Sequence, residues 1–261
     1  MIIKDIKDVS VKEEQPSTQS HEVKTKIPIT STYKETKARD TFFNSLSFVG
    51  HEHRYGKMLN HDKDVQLLIQ LFTDIHMNDH FIDTLYALKT WDHFAFVHSF
   101  DVFVLGTLIA KRLGLHQLES IALGFLFHDI GKMEISQDIL AKEGKLTFNE
   151  FERIKRHTIE GEAILNSLGQ SQIAHFARSH HERMDGSGYP DKLSKKELSK
   201  ELRILQIIDV YSALTLQRPY KDEIPAQEAL QILARDVNKY DKSILLELIE
   251  ALAIYPSHST V

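Results

Sequence analysis

Along most of the chain beyond residue 60, apolar residues recur every three or four positions and seldom alternate with polar ones. Val65, Leu68, Ile69, Phe72 and Ile75 predict a helix over 64–77. A second helical stretch runs over 79–113; its apolar positions are dense from Phe94 to Ile109, so it is buried on most sides, and Gly114 stops it. A short helix from Gln117 leads into FLFHDIGK, Phe125 to Lys132. Thr147 and Glu150 form a Thr-x-x-Glu capping box opening a helix that carries Phe151, Ile154, His157, Gly161, Ile164 and Leu165. His157 and Gly161 lie one turn apart, so the glycine allows a close backbone approach beside the histidine. Another helix over 172–182 ends in His180-His181-Glu182, before a turn-rich MDGSGYP whose glycines and proline forbid regular structure. Residues 198–216 are again helical and apolar, with the single carboxylate of Asp209 inside; Pro225 starts a helix through Leu233, and Ile244 to Ile254 forms the last. With few alternating runs and no internal repeat, the fold class is all-α, roughly seven to nine helices around one core.

Residues 1–39 break this pattern. They hold Lys, Glu, Ser, Thr, Gln and Pro with few large apolar side chains, so little burial offsets the entropy of ordering, and they read as a disordered tail. Residues 40–78 read as a short helical N-terminal region. Its first apolar patch (Phe42, Phe43, Leu46, Phe48, Val49) is either a helix capping the main domain or half of a homodimer contact. Residues 79–261 form the main domain. A net charge of −5 argues against broad electrostatic binding of nucleic-acid polymers. The absence of cysteine excludes disulfides, thiolate metal sites and a Cys nucleophile. No apolar run approaches the ~18 residues of a membrane span, and charge interrupts the N-terminal MIIKDIKD, so the chain is expected in the cytoplasm without membrane contact.

The chemistry sits on titratable residues inside apolar helical segments: His98, His128, Asp129, His157, His180, His181 and Asp209. One of these alone reads as a core polar group satisfied locally. Seven in one all-α domain would each need a separate buried partner. Neutral imidazole and carboxylate are the ligands expected for Fe, Mn or Zn. Two metals ~3.5–4 Å apart, bridged by one carboxylate, would activate a hydroxide and clamp a phosphoryl oxygen. Lys132, Arg218 and Lys221 follow directly on ligand-bearing segments and could hold phosphates.

HDIGK, HTIEG, HHERMDGSGYP and IIDVYSALTLQRPYK, in that order, resemble the HD-GYP family, bacterial phosphodiesterases of the HD superfamily that hydrolyse cyclic di-GMP. The likeness runs from about Phe94 to Ile254; the HHE–DGSGYP block is specific, the HD pair alone is not. The resemblance implies an HD-domain-like helical bundle and two divalent metals, Fe or Mn. It makes His98, His128, Asp129, His157, His180, His181 and Asp209 the ligands, with Asp129 bridging. Asp129 and Lys132 become the catalytic residues, Lys132 lying near the scissile phosphate, while Lys132, Arg218 and Lys221 hold substrate phosphates. Asp185, Gly186, Gly188, Tyr189 and Pro190 form the signature loop, linked in the family to substrate access and to contact with GGDEF-type cyclases. A metal-bridging hydroxide would cut cyclic di-GMP to the linear pGpG, with further cleavage to GMP.

The chain departs from the family pattern at four places. Thr158 replaces a proline; Phe94 replaces a glutamate that in some members helps bind a third metal, so the centre is expected to be binuclear. Asp101 replaces an arginine, reversing a charge near the site, and Ser212 replaces the second Asp of DxxDA. Phe94, Asp101 and Ser212 motivate a second reading, a signalling adaptor that binds a cyclic dinucleotide or a cyclase with little turnover. A third is a hydrolase of another cyclic dinucleotide, since the phosphate-holding cations would serve any base.

Overall fold

The computed structural model describes residues 31–49, 52–217, 223–236 and 238–253. Among them are thirteen α-helices, eleven of eight residues or more, and no strand. In chain order these are α1 (Ser31–Val49), α2 (Glu52–Tyr55), α3 (Asp62–Met77), α4 (Asp79–Trp91), α5 (His93–Arg112) and α6 (Leu118–Phe127). After a 3-10 turn (Ile130–Glu134) come α7 (Gln137–Leu140), α8 (Phe148–Lys155), α9 (His157–Ser167) and α10 (Ser171–Ser179). The chain closes with α11 (Lys200–Thr215), α12 (Ala226–Arg235) and α13 (Lys242–Leu252).

Helix α5 is the axis of the bundle. Its apolar residues face every direction, so neighbours must cover it on all sides, and α6, α11, α4 and α1 do so. By length and composition α5 could cross a membrane, contrary to the expectation that no run approaches that length. However, 83% of its apolar window is buried within the fold, as in the core helix of a globular protein.

The all-α class holds, and the helices outnumber the seven to nine expected because two predicted stretches are each two helices and because α2 and α7, four residues each, are too short to show a pattern. Asp92 breaks the first: its backbone is extended (φ −144°, ψ 95°) and its side chain accepts from the Ala95 N–H at 2.9 Å, capping α5. Arg156 separates α8 from α9, while Thr147 and Glu150 make the expected capping box on α8. At the N-terminus, α1 begins at Ser31, so residues 31–39, assigned to the tail, are helical. Packing overrides their polar composition: Ala38 is buried, and the Phe42 ring lies 5.8 Å from Phe72 on α3 and 5.5 Å from Phe100 on α5. The apolar patch thus caps the bundle through Phe42, whereas Phe43 is exposed. The tail expected over residues 1–30 lies outside the described residues.

Candidate metal centre

Five parts of the bundle converge on one point. His98 comes from the second turn of α5 and Asp209 from α11. His128 and Asp129 follow α6 where the chain tightens into the 3-10 turn. The α8–α9 break makes His157 the first residue of α9, and His180 and His181 follow α10. At the break, the Thr158 hydroxyl donates to the Lys155 carbonyl at 2.9 Å, local satisfaction that a proline could not provide. Gly131 lets the 3-10 turn lie directly on α9: a Cβ there would fall 1.9 Å from the His157 carbonyl oxygen and 2.5 Å from the Gly161 nitrogen. The close approach anticipated at Gly161 is present and is shared with Gly131: a Cβ on Gly161 would fall 3.3 Å from the Gly131 nitrogen and 3.0 Å from the Ala177 Cβ.

Asp129 is the centre of the constellation. Its Oδ2 lies 3.5 Å from His128 Nε2 and 3.7 Å from His98 Nε2; its Oδ1 lies 3.4 Å from His157 Nε2 and 3.6 Å from His180 Nε2. Asp209 adds a second carboxylate, with Oδ1 3.0 Å from His98 Nε2 and Oδ2 3.7 Å from His181 Nδ1. Two ligand groups result, His98–His128–Asp129 and His157–His180–His181, each with its donor atoms within 4.8 Å of one another. The structure brings all seven predicted residues together.

The hydrogen bonds of the imidazoles show what the centre is built to hold. A carbonyl can only accept, so His128 Nδ1 donates to Phe125 O (2.8 Å), His157 Nδ1 to Ile154 O (2.6 Å) and His180 Nδ1 to Ala177 O (2.8 Å). Each Nε2 is then the bare nitrogen of a neutral ring. His157 Nε2 and His180 Nε2 face each other at 3.0 Å, two lone pairs that only a proton or a cation between them reconciles. His128 Nε2 is buried without a hydrogen-bond partner, and Asp209 Oδ1 at 3.8 Å is too far to be one. Divalent metals fit this donor set.

The electrostatics of four of the five imidazoles agree with this, His128 being the exception. Burial, reinforced by neighbouring histidines, holds His180 and His181 well below the ordinary imidazole range and lowers His98 and His157. His128 is also buried, but Asp129 and Asp209 raise it. Burial works against charge on Asp129, yet Lys132 and the imidazoles keep its carboxyl well below the carboxylate range; Asp209 is held low against the same penalty by His128 and His98. Lys132 Nζ donates to Asp129 Oδ2 at 2.6 Å, and this carboxylate raises its pKa against burial.

A cleft of about 500 Å³ opens onto Asp129, His98, His181 and Asp209, with Lys132 and Arg183 in its wall and Phe94 and Leu214 among its apolar sides. Arg183 had not been singled out; its Nη1 donates to the Glu182 and His180 carbonyls at 2.7 and 3.2 Å. Glu182 was also missed as more than a motif letter. It is buried, and its carboxylate accepts from the backbone N–H groups of Asp191, Lys192 and Leu193 at 2.6, 3.0 and 2.9 Å, tying the signature loop to the ligand helix. Within the loop, Asp185 accepts from the Ser187 N–H, and Gly186 has φ +76°. Gly188 lies so close to Glu182 that a Cβ would fall 2.3 Å from its Cα. Tyr189 lies over His181 with ring centroids 4.8 Å apart, followed by Pro190. Arg218 and Lys221 lie outside the described residues.

Two departures from the family pattern acquire explanations. Asp101 adds no charge to the centre: it is buried one turn further along α5, paired with Arg54 of α2 at 2.5 Å. The charge reversal expected near the site is thus internally balanced. Ser212 Oγ lies 2.9 Å from His98 Nδ1, so the hydroxyl donates there while Nε2 donates to Asp209 Oδ1 at 3.0 Å, and with a metal on Nε2 the same hydroxyl could accept from Nδ1 instead. Phe94 stacks parallel to the His98 imidazole, with centroids 6.3 Å apart.

A buried His–Asp pair joined by further histidines from successive helices defines a class. A family model described as HD domain matches residues 101–244, more than half of the chain, and the protein belongs to that family. Its relatives place it among the HD-GYP proteins. It is 32% identical over 207 residues to cyclic di-GMP phosphodiesterase PA4108 of Pseudomonas aeruginosa, covering 78% of this chain and 50% of the relative. It is 39% identical over 148 residues to 3'3'-cGAMP-specific phosphodiesterase 1 of Vibrio cholerae, covering 56% of this chain and 34% of the relative. The chain thus spans half the length of these relatives or less. Bd1817, an HDG"Y"P protein of Bdellovibrio bacteriovorus, shares the fold with TM-score 0.55 at 16% identity, over 85% of this chain and 71% of that one.

Proposed function

We propose that the protein is a metal-dependent phosphodiesterase that hydrolyses cyclic di-GMP to pGpG and then to GMP. The observation that carries this reading is Asp129, whose two oxygens each face two imidazole nitrogens at the floor of an open cleft beside Lys132. His98, His128, Asp129, His157, His180, His181 and Asp209 would hold two divalent ions, Fe or Mn in view of the all-nitrogen-and-oxygen donor set. Bound there, the metals supply an activated water and neutralise charge on the phosphoryl oxygens. The remaining work falls to the chain. Asp129, with two imidazole nitrogens facing each of its oxygens, would be a ligand available to both ions. Lys132, kept protonated by Asp129, offers its ammonium group to a phosphate oxygen in the cleft, and Arg218 and Lys221 hold the second phosphate. The apolar walls beside Phe94 and Leu214 receive a base.

The adaptor reading loses support, since Asp101 is neutralised by Arg54 and Ser212 serves His98. The choice of base stays open in a specific way, because relatives named for cyclic di-GMP and for 3'3'-cGAMP both align with the chain. We also assign the protein to the cytoplasm. The signature loop is the proposed contact for a GGDEF-type cyclase, and exposed Phe43 that for a second copy.

The test is anaerobic purification, metal analysis, and incubation with cyclic di-GMP and with 3'3'-cGAMP in Fe(II) or Mn(II). Two metals per chain and linear product are expected. Asp129→Ala should lose a factor of about 10³ or more in turnover, as loss of a group central to transition-state stabilisation does. Unchanged hydrolysis by this variant would refute the mechanism, and two metals with tight binding but no product would restore the adaptor.

A further inference from the structure

A closed ring of buried hydrogen bonds lies behind the metal centre. Arg54, on α2, donates from Nη2 to Asp101 Oδ2 at 2.5 Å, from Nη1 to Asp101 Oδ1 at 3.3 Å, and from Nε to Thr215 Oγ1 at 3.0 Å. The Tyr55 hydroxyl donates to Asp101 Oδ1 at 2.5 Å. The Tyr211 hydroxyl returns to the Arg54 carbonyl at 2.7 Å, and Thr215 Oγ1 donates to the Tyr211 carbonyl at 2.8 Å. The ion pair is almost sealed from water, its side chains 6% and 0% exposed. Burial alone would lower the Arg54 pKa, yet Asp101 holds it above the ordinary value.

The ring joins two helices that carry ligands. Asp101 stands one turn beyond His98 on α5, while Tyr211 and Thr215 follow Asp209 on α11, on either side of Ser212, the partner of His98 Nδ1. Its members come from α2, α5 and α11, and none from α9 or α10. The ring therefore bears first on His98 and on Asp209 Oδ1, 3.0 Å from it, and on neither His157 nor His180; its reach toward the other group runs only through Asp209 Oδ2, 3.7 Å from His181.

We infer that Arg54 is a positioning residue: through Asp101 and Thr215 it sets the spacing of α5 and α11, and so the affinity of the metal position formed by His98 and Asp209. The N-terminal helices are then part of the catalytic unit, and a force applied to α2 reaches one metal position selectively. This inference rests on the metal-centre reading above.

Stepwise Mn(II) titration by calorimetry tests it, using wild type, Arg54→Met, Tyr55→Phe and the exchanged pair Arg54→Asp/Asp101→Arg, each checked for helix content by circular dichroism. Wild type should bind two Mn(II). Arg54→Met should weaken one position by about 10–100-fold, the range typical when a group orienting a ligand is lost, and leave the other unchanged. Its kcat should fall while KM for the dinucleotide holds. Tyr55→Phe, which removes one donor and almost no volume, should shift the same position less, and the exchanged pair should recover affinity. A merely structural ring would lower melting temperature alone. Equal weakening of both positions, or unchanged affinities in folded variants, would overturn the inference; if Arg54→Met does not fold, Tyr55→Phe decides alone. A wild-type protein that binds no Mn(II) overturns the metal-centre reading itself, a distinguishable failure.

Discussion

Glu182 binds backbone rather than metal. Three N–H groups of residues 191–193 converge on its carboxylate, and hydrogen bonds to a charged acceptor contribute roughly 1.5–3 kcal/mol each. Its neighbours His180 and His181 are proposed ligands, so the same short segment would anchor both the metal and the loop over it. Glu182→Gln replaces an acceptor oxygen with an amide N–H aimed at another donor. It should cost about 1–3 kcal/mol in urea denaturation, the range for a buried polar group left unsatisfied, and a midpoint equal to wild type would contradict the anchoring role. Glu150 shows the same chemistry in water. Its carboxylate accepts from Lys142 Nζ and from the Thr147 N–H and hydroxyl, which brings its pKa down from 4.5 to about 2. The folded value lies below the unfolded one, so the stability contributed by the capping box is complete above 4.5 and lost as pH falls toward about 2. A carboxyl-resolved NMR titration should give a midpoint near 2, and one near 4.5 would mean that the box does not persist in solution.

Among elements, the decisive contact is between the 3-10 turn and α9. The His157 carbonyl sits where a Cβ on residue 131 would have to go, and backbone cannot swing aside as a side chain can. Gly131→Ala should therefore drive the turn off α9, part Asp129 from His157 and reduce the bound metal from two ions to one, at a stability cost of about 1–3 kcal/mol from overpacking. Full metal content with wild-type stability would rule out this contact. Neither helix break beside the site was legible in the sequence. Asp92 and Arg156 lie inside continuous apolar periodicity, and what divides the helices is a side-chain cap in one case and a tertiary demand in the other. The Thr147–Glu150 box was legible because all its partners lie within four residues.

For the molecule as a whole, the helical class and the cluster of Asp129 with six residues around it could be read from the chain, since periodicity and motif order are local properties. What could not be read are partnerships across long separations. Asp101 resembled a misplaced charge because its counter-ion, Arg54, lies 47 residues away on a helix too short to show a pattern. Residues 31–39 resembled a tail because one small residue, Ala38, together with Phe42 beyond them, sufficed to dock α1. The same long separations govern how the site comes into being. His98 meets Asp209 across 111 residues, and closing a loop of that length costs on the order of 4 kcal/mol in chain entropy before any contact offsets it. No fragment shorter than 98–209 holds every ligand. With the proposed ligand set, ion capture would therefore come late in folding, and the rate at which freshly synthesised protein takes up ions would be a clock for completion of the fold.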